Sequence, residues 1–204
     1  MIFEQLPVGP MQNFAYLIGD ERTRLAAVVD PGWDIEIILE AAQRNNLQII
    51  YAISTHSHHD HTSGMDELVR KTSAKVVAHE VSRIGKNISV RDGDVVQLGS
   101  LEIKFIYTPG HSPDHVCVLV SGKLMTGDAL FVGECGRTDL PGGSSEQLYD
   151  SLFNKLMKLS DDVEVYPGHD YGTKLHSTIG YERLHNYVLK PRTVKEFVQF
   201  MKEP

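Results

Sequence analysis

Disulfide scaffolds, membrane spans and nucleic-acid binding each need something this chain has little of. Its 204 residues hold two cysteines, Cys117 and Cys135, too few for a disulfide framework or a zinc-finger module. Reduced thiols in a cytoplasmic setting are the expectation. No apolar run approaches the roughly 20 residues that cross a bilayer. The start, Met1 to Pro7, has no basic stretch leading into an apolar core, so no export signal is read. Basic charge is in deficit: 20 Lys plus Arg against 27 Asp plus Glu give a formal charge of -7. That balance suits neither a general nucleic-acid binder nor an anionic membrane. Repeats, low-complexity tracts and Pro/Ser-rich linkers are missing too. A single domain over residues 1–204 with a short helical tail from about 190 is therefore expected. Hydrophobic residues at 41% and charged residues at 23% are ordinary globular values that argue against disorder.

Histidine, by contrast, is plentiful. There are ten, and four fall between residues 56 and 61. They belong to the run Thr55-His56-Ser57-His58-His59-Asp60-His61, which follows the apolar strand-like segment Ile49 to Ile53. A helix signalled by Met65, Leu68 and Val69 comes after it. Imidazole and carboxylate donors at this density suit borderline divalent metals such as zinc, iron or manganese. His56 and His58 have the spacing to chelate one ion, and Asp60 and His61 can turn toward a second.

Three further candidates stand where other apolar runs end. His111 follows Tyr107 in Thr108-Pro109-Gly110-His111, Asp128 follows Thr126-Gly127, and His169 follows Tyr166-Pro167-Gly168. Each has a glycine before it, expected to let the backbone turn sharply. Taken alone, any of them reads equally well as an ordinary turn residue. Together they place all seven donors at one edge of the fold.

The rest of the chain alternates strands with a few amphipathic helices. Strands are expected over Phe14–Ile18, Leu25–Val29, Lys75–Ala78, Val95–Leu98, Leu101–Tyr107, His115–Val120, Lys123–Thr126 and Val163–Tyr166. Asp34 is expected to cap a helix carrying Ile35, Ile38, Leu39 and Ala42 that stops at Asn45 and Asn46. Capping boxes at Ser144/Gln147 and Thr193/Glu196 open two more. Many connections are too short for crossovers. That order predicts an α+β fold, two mixed sheets packed face to face with helices outside, better than a doubly wound parallel sheet.

The motif His56-x-His58-x-Asp60-His61, followed by His111, Asp128 and His169, resembles the metallo-β-lactamase superfamily. The resemblance implies an αββα sandwich with the metal site at one edge. It makes His56, His58 and His111 ligands of one metal, and Asp60, His61 and His169 ligands of the other, with Asp128 bridging. Within the superfamily, Thr126–Phe131, Cys135–Asp139, Tyr166–Tyr171 and Ser177–Asn186 are similar to single-domain glyoxalase II and to persulfide dioxygenase. The chain is too short for the helical substrate domain of two-domain glyoxalase II.

Two functions follow from the resemblance. The first is a glyoxalase II-like hydrolase that cleaves a thioester of a small thiol, with two divalent ions, zinc foremost, sharing a hydroxide. Catalysis then rests on Asp60 and Asp128 as ligands. The alternative is a persulfide dioxygenase acting on glutathione persulfide, with one iron on His56, His111 and Asp128. A non-catalytic metal-binding domain is a third reading, disfavoured because no ligand position has been lost. Nuclease relatives are disfavoured by the acidic balance, and an exported lactamase by the lack of a signal.

In either enzyme the partner is a small thiol conjugate, glutathione-derived by resemblance. Arg137 could pair with its carboxylate and Tyr171 could line its pocket; a structural salt bridge and a packed tyrosine are equally good readings. Lys190 and Arg192 read as a solvated tail more than as a basic contact. Cys117 reads as core, and Cys135 as a buried small hydrophobe more than as a reactive thiol. Asp30 reads as support for the metal loop. His59, His79, His115, His176 and His185 read as non-ligands, with His115 able to reach the pocket rim.

Overall fold

The computed structural model describes residues 1–203. The chain begins β1 (Ile2–Val8), β2 (Asn13–Gly19), β3 (Leu25–Val29), α1 (Ile35–Arg44) and β4 (Gln48–Ile53). The short α2 (His59–Thr62), α3 (Met65–Thr72), β5 (Lys75–His79) and β6 (Ile88–Val90) complete a six-stranded sheet of order β1-β2-β3-β4-β5-β6. Its first three strands run antiparallel, and β3 to β6 run parallel. The chain then lays down β7 (Val95–Leu98), β8 (Leu101–Tyr107), β9 (Val116–Val120) and β10 (Lys123–Gly127) as antiparallel neighbours.

A small hairpin of β11 (Leu130–Phe131) and β12 (Glu134–Cys135) follows, then α4 (Ser145–Tyr149), β13 (Glu164–Pro167), β14 (Ser177–Thr178), α5 (Ile179–His185) and α6 (Val194–Phe200). β13 pairs parallel with β10, closing a second sheet of order β14-β13-β10-β9-β8-β7.

Side-chain alternation explains the layering. Along β2, Phe14, Tyr16 and Ile18 face the second sheet, where Phe105, Val116, Val118 and Met125 meet them. Ala15 and Leu17 point the other way, onto Ile38, Ala41 and Leu68 of α1 and α3. The outer face of the second sheet, with Cys117, Leu124 and Val165, packs on Leu148, Leu152, Ile179 and Phe197. Strands covered on both faces need apolar residues at both parities, which is why β2 reads as a continuous apolar run. The result is helices, sheet, sheet, helices: the expected αββα sandwich.

Several details differ from the sequence expectation. Asp34 occupies the N-cap of α1, but in the left-handed region at φ 48°, and its side chain does not cap the helix. Its carboxylate instead accepts the Gly9 N–H at 2.7 Å. Ser144 accepts the Gln147 N–H at 3.2 Å but receives nothing back, donating instead to Glu146. The helix it opens loosens into a π turn over Asp150–Lys155 and a 3-10 turn over Leu156–Lys158. The Thr193/Glu196 box is complete. The strands β1, β6, β11, β12 and β14 are additions.

Candidate metal centre

Four strand ends deliver the site. β4 runs out at Ile53 into the loop bearing His56 and His58, and α2 presents Asp60 and His61. β8, β10 and β13 end just before His111, Asp128 and His169. The structure brings all seven into one cluster of overlapping donor groups: His56/His58/His111, His56/His61/Asp128 and Asp60/His61/His169.

The spacing within that cluster is close to what a metal imposes. His58 Nδ1 lies 3.0 Å from His56 Nε2 and 2.9 Å from His111 Nε2. His61 Nε2 is 3.2 Å from His169 Nε2, and both stand 3.3 Å from Asp60 Oδ2. Donors held about 2.0–2.1 Å from a tetrahedral ion sit about 3.3 Å apart.

The tautomers point the same way. His111 Nδ1 faces the Arg137 carbonyl at 2.8 Å and His169 Nδ1 faces the Met11 carbonyl at 2.9 Å. A carbonyl only accepts, so each Nδ1 carries its hydrogen and each Nε2 is the atom left facing the cluster. Where His56 Nε2 and His58 Nδ1 meet, with both rings held neutral by burial, two nitrogens crowd together in a place that a cation would relieve. Asp128 Oδ1, buried and with no hydrogen-bond partner, makes the same demand. The residues fit a bound cation.

Asp30 braces both halves from behind. Its Oδ1 accepts the Thr55 N–H at 2.7 Å, and its Oδ2 accepts Thr55 Oγ1–H at 2.7 Å and faces His61 Nδ1 at 3.1 Å. Thr55 Oγ1 in turn lies 3.0 Å from His56 Nδ1, so one carboxylate orients an imidazole of each group. The expected support role of Asp30 is what its contacts describe.

Electrostatics divides the rings. Burial, reinforced by neighbouring imidazoles, pushes His56 well below the usual histidine value and lowers His58, leaving both neutral and fit to coordinate. Burial also disfavours charge on His61 and His169, but the carboxylates win. Asp128, Asp30 and Asp60 raise His61, and Asp128 and Asp60 push His169 up to about 9. For Asp60 and Asp128 the order is reversed. Burial would raise them, but the imidazoles, joined by Asn13 at Asp60, hold both below the ordinary carboxylate range.

The sequence profile of the metallo-beta-lactamase superfamily matches residues 8–83 and 78–169. The chain belongs to the metallo-β-lactamase superfamily. The mitochondrial persulfide dioxygenase ETHE1 of Bos taurus is 34% identical over 203 residues, covering 93% of this chain and 76% of that protein. A hydroxyacylglutathione hydrolase of Polaromonas sp. strain JS666 is 38% identical over 179 residues, covering 84% of this chain and 67% of that protein. Among solved structures, ETHE1 from Myxococcus xanthus superposes with a TM-score of 0.95 at 37% identity, over 100% of this chain and 92% of that one.

On this superfamily frame, a cleft of about 350 Å³ opens over the cluster. Tyr171 walls it, its ring stacked on His169 with centroids 4.6 Å apart and on edge to Phe131 at 5.3 Å. Arg137 lines the mouth, but Asp139 grips its guanidinium with two bonds of 2.6 Å. Its backbone carbonyl, which holds His111, is the contact the sequence did not foretell.

Arg192 neither waits in a solvated tail nor faces the cleft; it donates to the Tyr187 and Val188 carbonyls. His115 is also corrected. It does not reach the rim but lies fully buried, and its Nε2 accepts the Asp128 N–H at 3.0 Å. Burial presses its pKa down to about 3, which keeps it an acceptor there. Asn13 was missed altogether; its Nδ2 donates to Asp60 Oδ2 at 2.9 Å. Nothing local in the sequence marks it. His59, His79, His176 and His185 pack against Trp33, Tyr107, Tyr166 and Tyr181 respectively, apart from the cluster.

The glycines serve two ends. Gly110 and Gly127 have φ of 140° and 46° and make the expected sharp turns. Gly168 is needed for space instead, since a β-carbon there would overlap Asp128 Oδ1 and press on His61. Gly168→Ala is expected to fold but to bind metal at least about tenfold more weakly; metal titration monitored by displacement of a colorimetric chelator reads this.

The thiols give a second check. Burial pushes Cys117 up to about 12 and raises Cys135 further, with help from Glu134. A raised thiol pKa leaves almost no thiolate at neutral or mildly alkaline pH. Iodoacetamide at pH 8 is expected to add nothing to the folded protein and two adducts to the denatured chain, read by intact mass.

Proposed function

We propose that this protein is a persulfide dioxygenase for a small carrier thiol, using one iron held by His56, His111 and Asp128. Two histidines and one carboxylate form the set that suits non-haem iron with positions left open. The observation that carries this reading is extent. The likeness to the Myxococcus xanthus structure runs the full length of this chain and nearly that of its counterpart, whereas a third of the hydroxyacylglutathione hydrolase has no counterpart here.

Iron held there supplies the one-electron chemistry that dioxygen needs. The chain supplies the rest. Thr55, the Arg137 carbonyl and His115 lock the three donors from behind. Phe131, Leu140 and Tyr171 give the cleft an apolar wall that limits water. The balanced reaction consumes one dioxygen and one water per persulfide and releases the thiol and sulfite.

Thioester hydrolysis, with a glutathione-type substrate and two divalent ions, is a second reading. It is favoured by one observation: Asp60, His61 and His169 form a second complete donor group beside the first. The test is to count metals per chain and to assay oxygen uptake with glutathione persulfide beside cleavage of an acylglutathione. One iron and stoichiometric oxygen uptake support the dioxygenase; thioester cleavage without uptake overturns it. His61→Ala separates them further, crippling a two-metal hydrolase far more than a one-iron oxygenase.

A further inference from the structure

The segment Ser177–Asn186 gives no donor to the metal cluster and no wall to the cleft. It nevertheless contains the most deeply buried carboxylate among the described residues, that of Glu182 on α5, at 0% exposed. Three neutral donors hold it. Ser177 Oγ–H reaches Oε1 at 2.6 Å, and the Gly133 N–H and Asn186 Nδ2–H reach Oε2 at 2.9 and 2.8 Å. A charge taken out of water and met only by neutral donors is costly to bury. Two of those donors lie within five residues of Glu182 in the chain; Gly133 lies 49 away.

Gly133 is at the tip of the β11–β12 hairpin. Leu130 pairs with Cys135 and Phe131 with Glu134, which leaves Val132 and Gly133, at φ 79°, as the turn. Asn186 and Tyr187 grip the next residue. Asn186 Nδ2 also donates to the Glu134 carbonyl at 3.1 Å, and the Tyr187 hydroxyl donates to the Glu134 carboxylate. The hairpin is in turn a wall of the cleft over the metal cluster: Phe131, Glu134 and Cys135 line it. The Phe131 ring stands on edge to His169 at 5.9 Å and to Tyr171 at 5.3 Å.

The base of the hairpin is fixed by other means. Leu130 and Cys135 are buried in the core beneath α4 and α5. Gly136 lies so close to Asp128 that a β-carbon there would fall 1.8 Å from the Asp128 carbonyl oxygen. Close packing therefore sets the end that leads to the Arg137 carbonyl and His111, and Glu182 sets the tip.

We infer that Glu182 is a positioning residue for the substrate. By holding the Gly133 N–H, and through Asn186 the Glu134 carbonyl, it fixes the Phe131 wall over the metal centre and so the fit of whatever lies between them. It has no part in holding metal. The wall serves a persulfide and a thioester alike, so this role stands whichever reaction the centre performs.

The test compares the metal-loaded wild type with three variants. Glu182→Met fills the space but offers no acceptor oxygen. Glu182→Gln keeps one oxygen for Gly133 and Asn186 while its amide turns to the Ser177 hydroxyl, which can accept. Ser177→Ala removes the bond to Oε1, the oxygen that no hairpin group uses. Kinetics are run well below each Tm, by oxygen uptake from glutathione persulfide or by cleavage of an acylglutathione, whichever the wild type supports. Glu182→Met is expected to raise KM at least about fivefold, with kcat within about twofold and metal content unchanged. Glu182→Gln and Ser177→Ala are expected to stay within about twofold of wild type in both constants.

A carboxylate that only stabilises the fold gives another pattern: Glu182→Met lowers Tm and leaves KM of the folded protein alone. That result overturns the role, as does a rise of KM in Ser177→Ala equal to that in Glu182→Met. Amide exchange supplies a reading that needs no variant to fold. In the zinc-loaded wild type the Gly133 amide, at a partly exposed turn tip, is expected to exchange at least about tenfold more slowly than a free amide. Exchange at the free rate removes the bond on which the role depends.

Discussion

Asp128→Ala is expected to abolish turnover, with a loss of more than about 10²-fold whichever reaction is assayed. Asp128 is the one carboxylate that reaches both donor groups, with Oδ1 3.3 Å from His61 Nε2 and Oδ2 3.5 Å from His111 Nε2 and 3.3 Å from His169 Nε2. Alanine removes the negative charge that helps hold a cation among the imidazoles and leaves a gap where two donor oxygens stood. The fold is expected to survive, because the backbone N–H of residue 128 still reaches His115. Metal content by atomic emission, circular dichroism and activity on one preparation check the three parts separately. Normal activity in this variant would sink the ligand assignment shared by both proposed reactions.

Asp30→Ala is expected to act through stability first. Asp30 is 2% exposed and sits in the left-handed region at φ 51°, a conformation aspartate tolerates better than alanine. Three donors lose their acceptor at once: Thr55 N–H, Thr55 Oγ1–H and His61 Nδ1–H. Stripping one partner from such a buried network costs about 3–5 kcal/mol. For a chain of this size that lowers Tm by about 10 °C. Loss of the brace behind His56 and His61 is expected to weaken metal binding by a further 10- to 100-fold or so. Thermal unfolding of the chelated protein isolates the first effect, and metal titration of the folded protein at low temperature isolates the second. Asp30→Asn, which keeps one acceptor oxygen, should fall between wild type and alanine in both.

The site donors were legible because each ends an apolar run: Ile53, Tyr107, Met125 and Val165 are strand residues whose neighbours downstream leave the sheet at one edge. What stayed hidden was non-local. Asn13 reaches Asp60 across 47 residues, and the Met11 carbonyl reaches His169 across 158. No periodicity encodes such pairs. His115 misled for a related reason: a histidine between two ligands looks like a rim group, and only the Asp128 amide fixes it as an acceptor inside.

The fold was legible wherever strands are covered on both sides. β1 escaped because it is an edge strand with Pro7 near its end and few fully buried positions. β11, β12 and β14 are two residues each, too short to show a period. Asp34 shows the limit of local rules. Its sequence position is right for a cap, but the nearby Gly9 amide of the β1–β2 turn offers the better bond.

The donors are divided between the two sheets: His56 to His61 follow a strand of the first, and His111, Asp128 and His169 follow strands of the second. An ion gripped by both sets is thus a rivet across the seam of the sandwich. Chelation should let that margin gape first, so proteases would nick the metal-stripped chain in the loops after residues 53 and 167 long before the distant margin loosens.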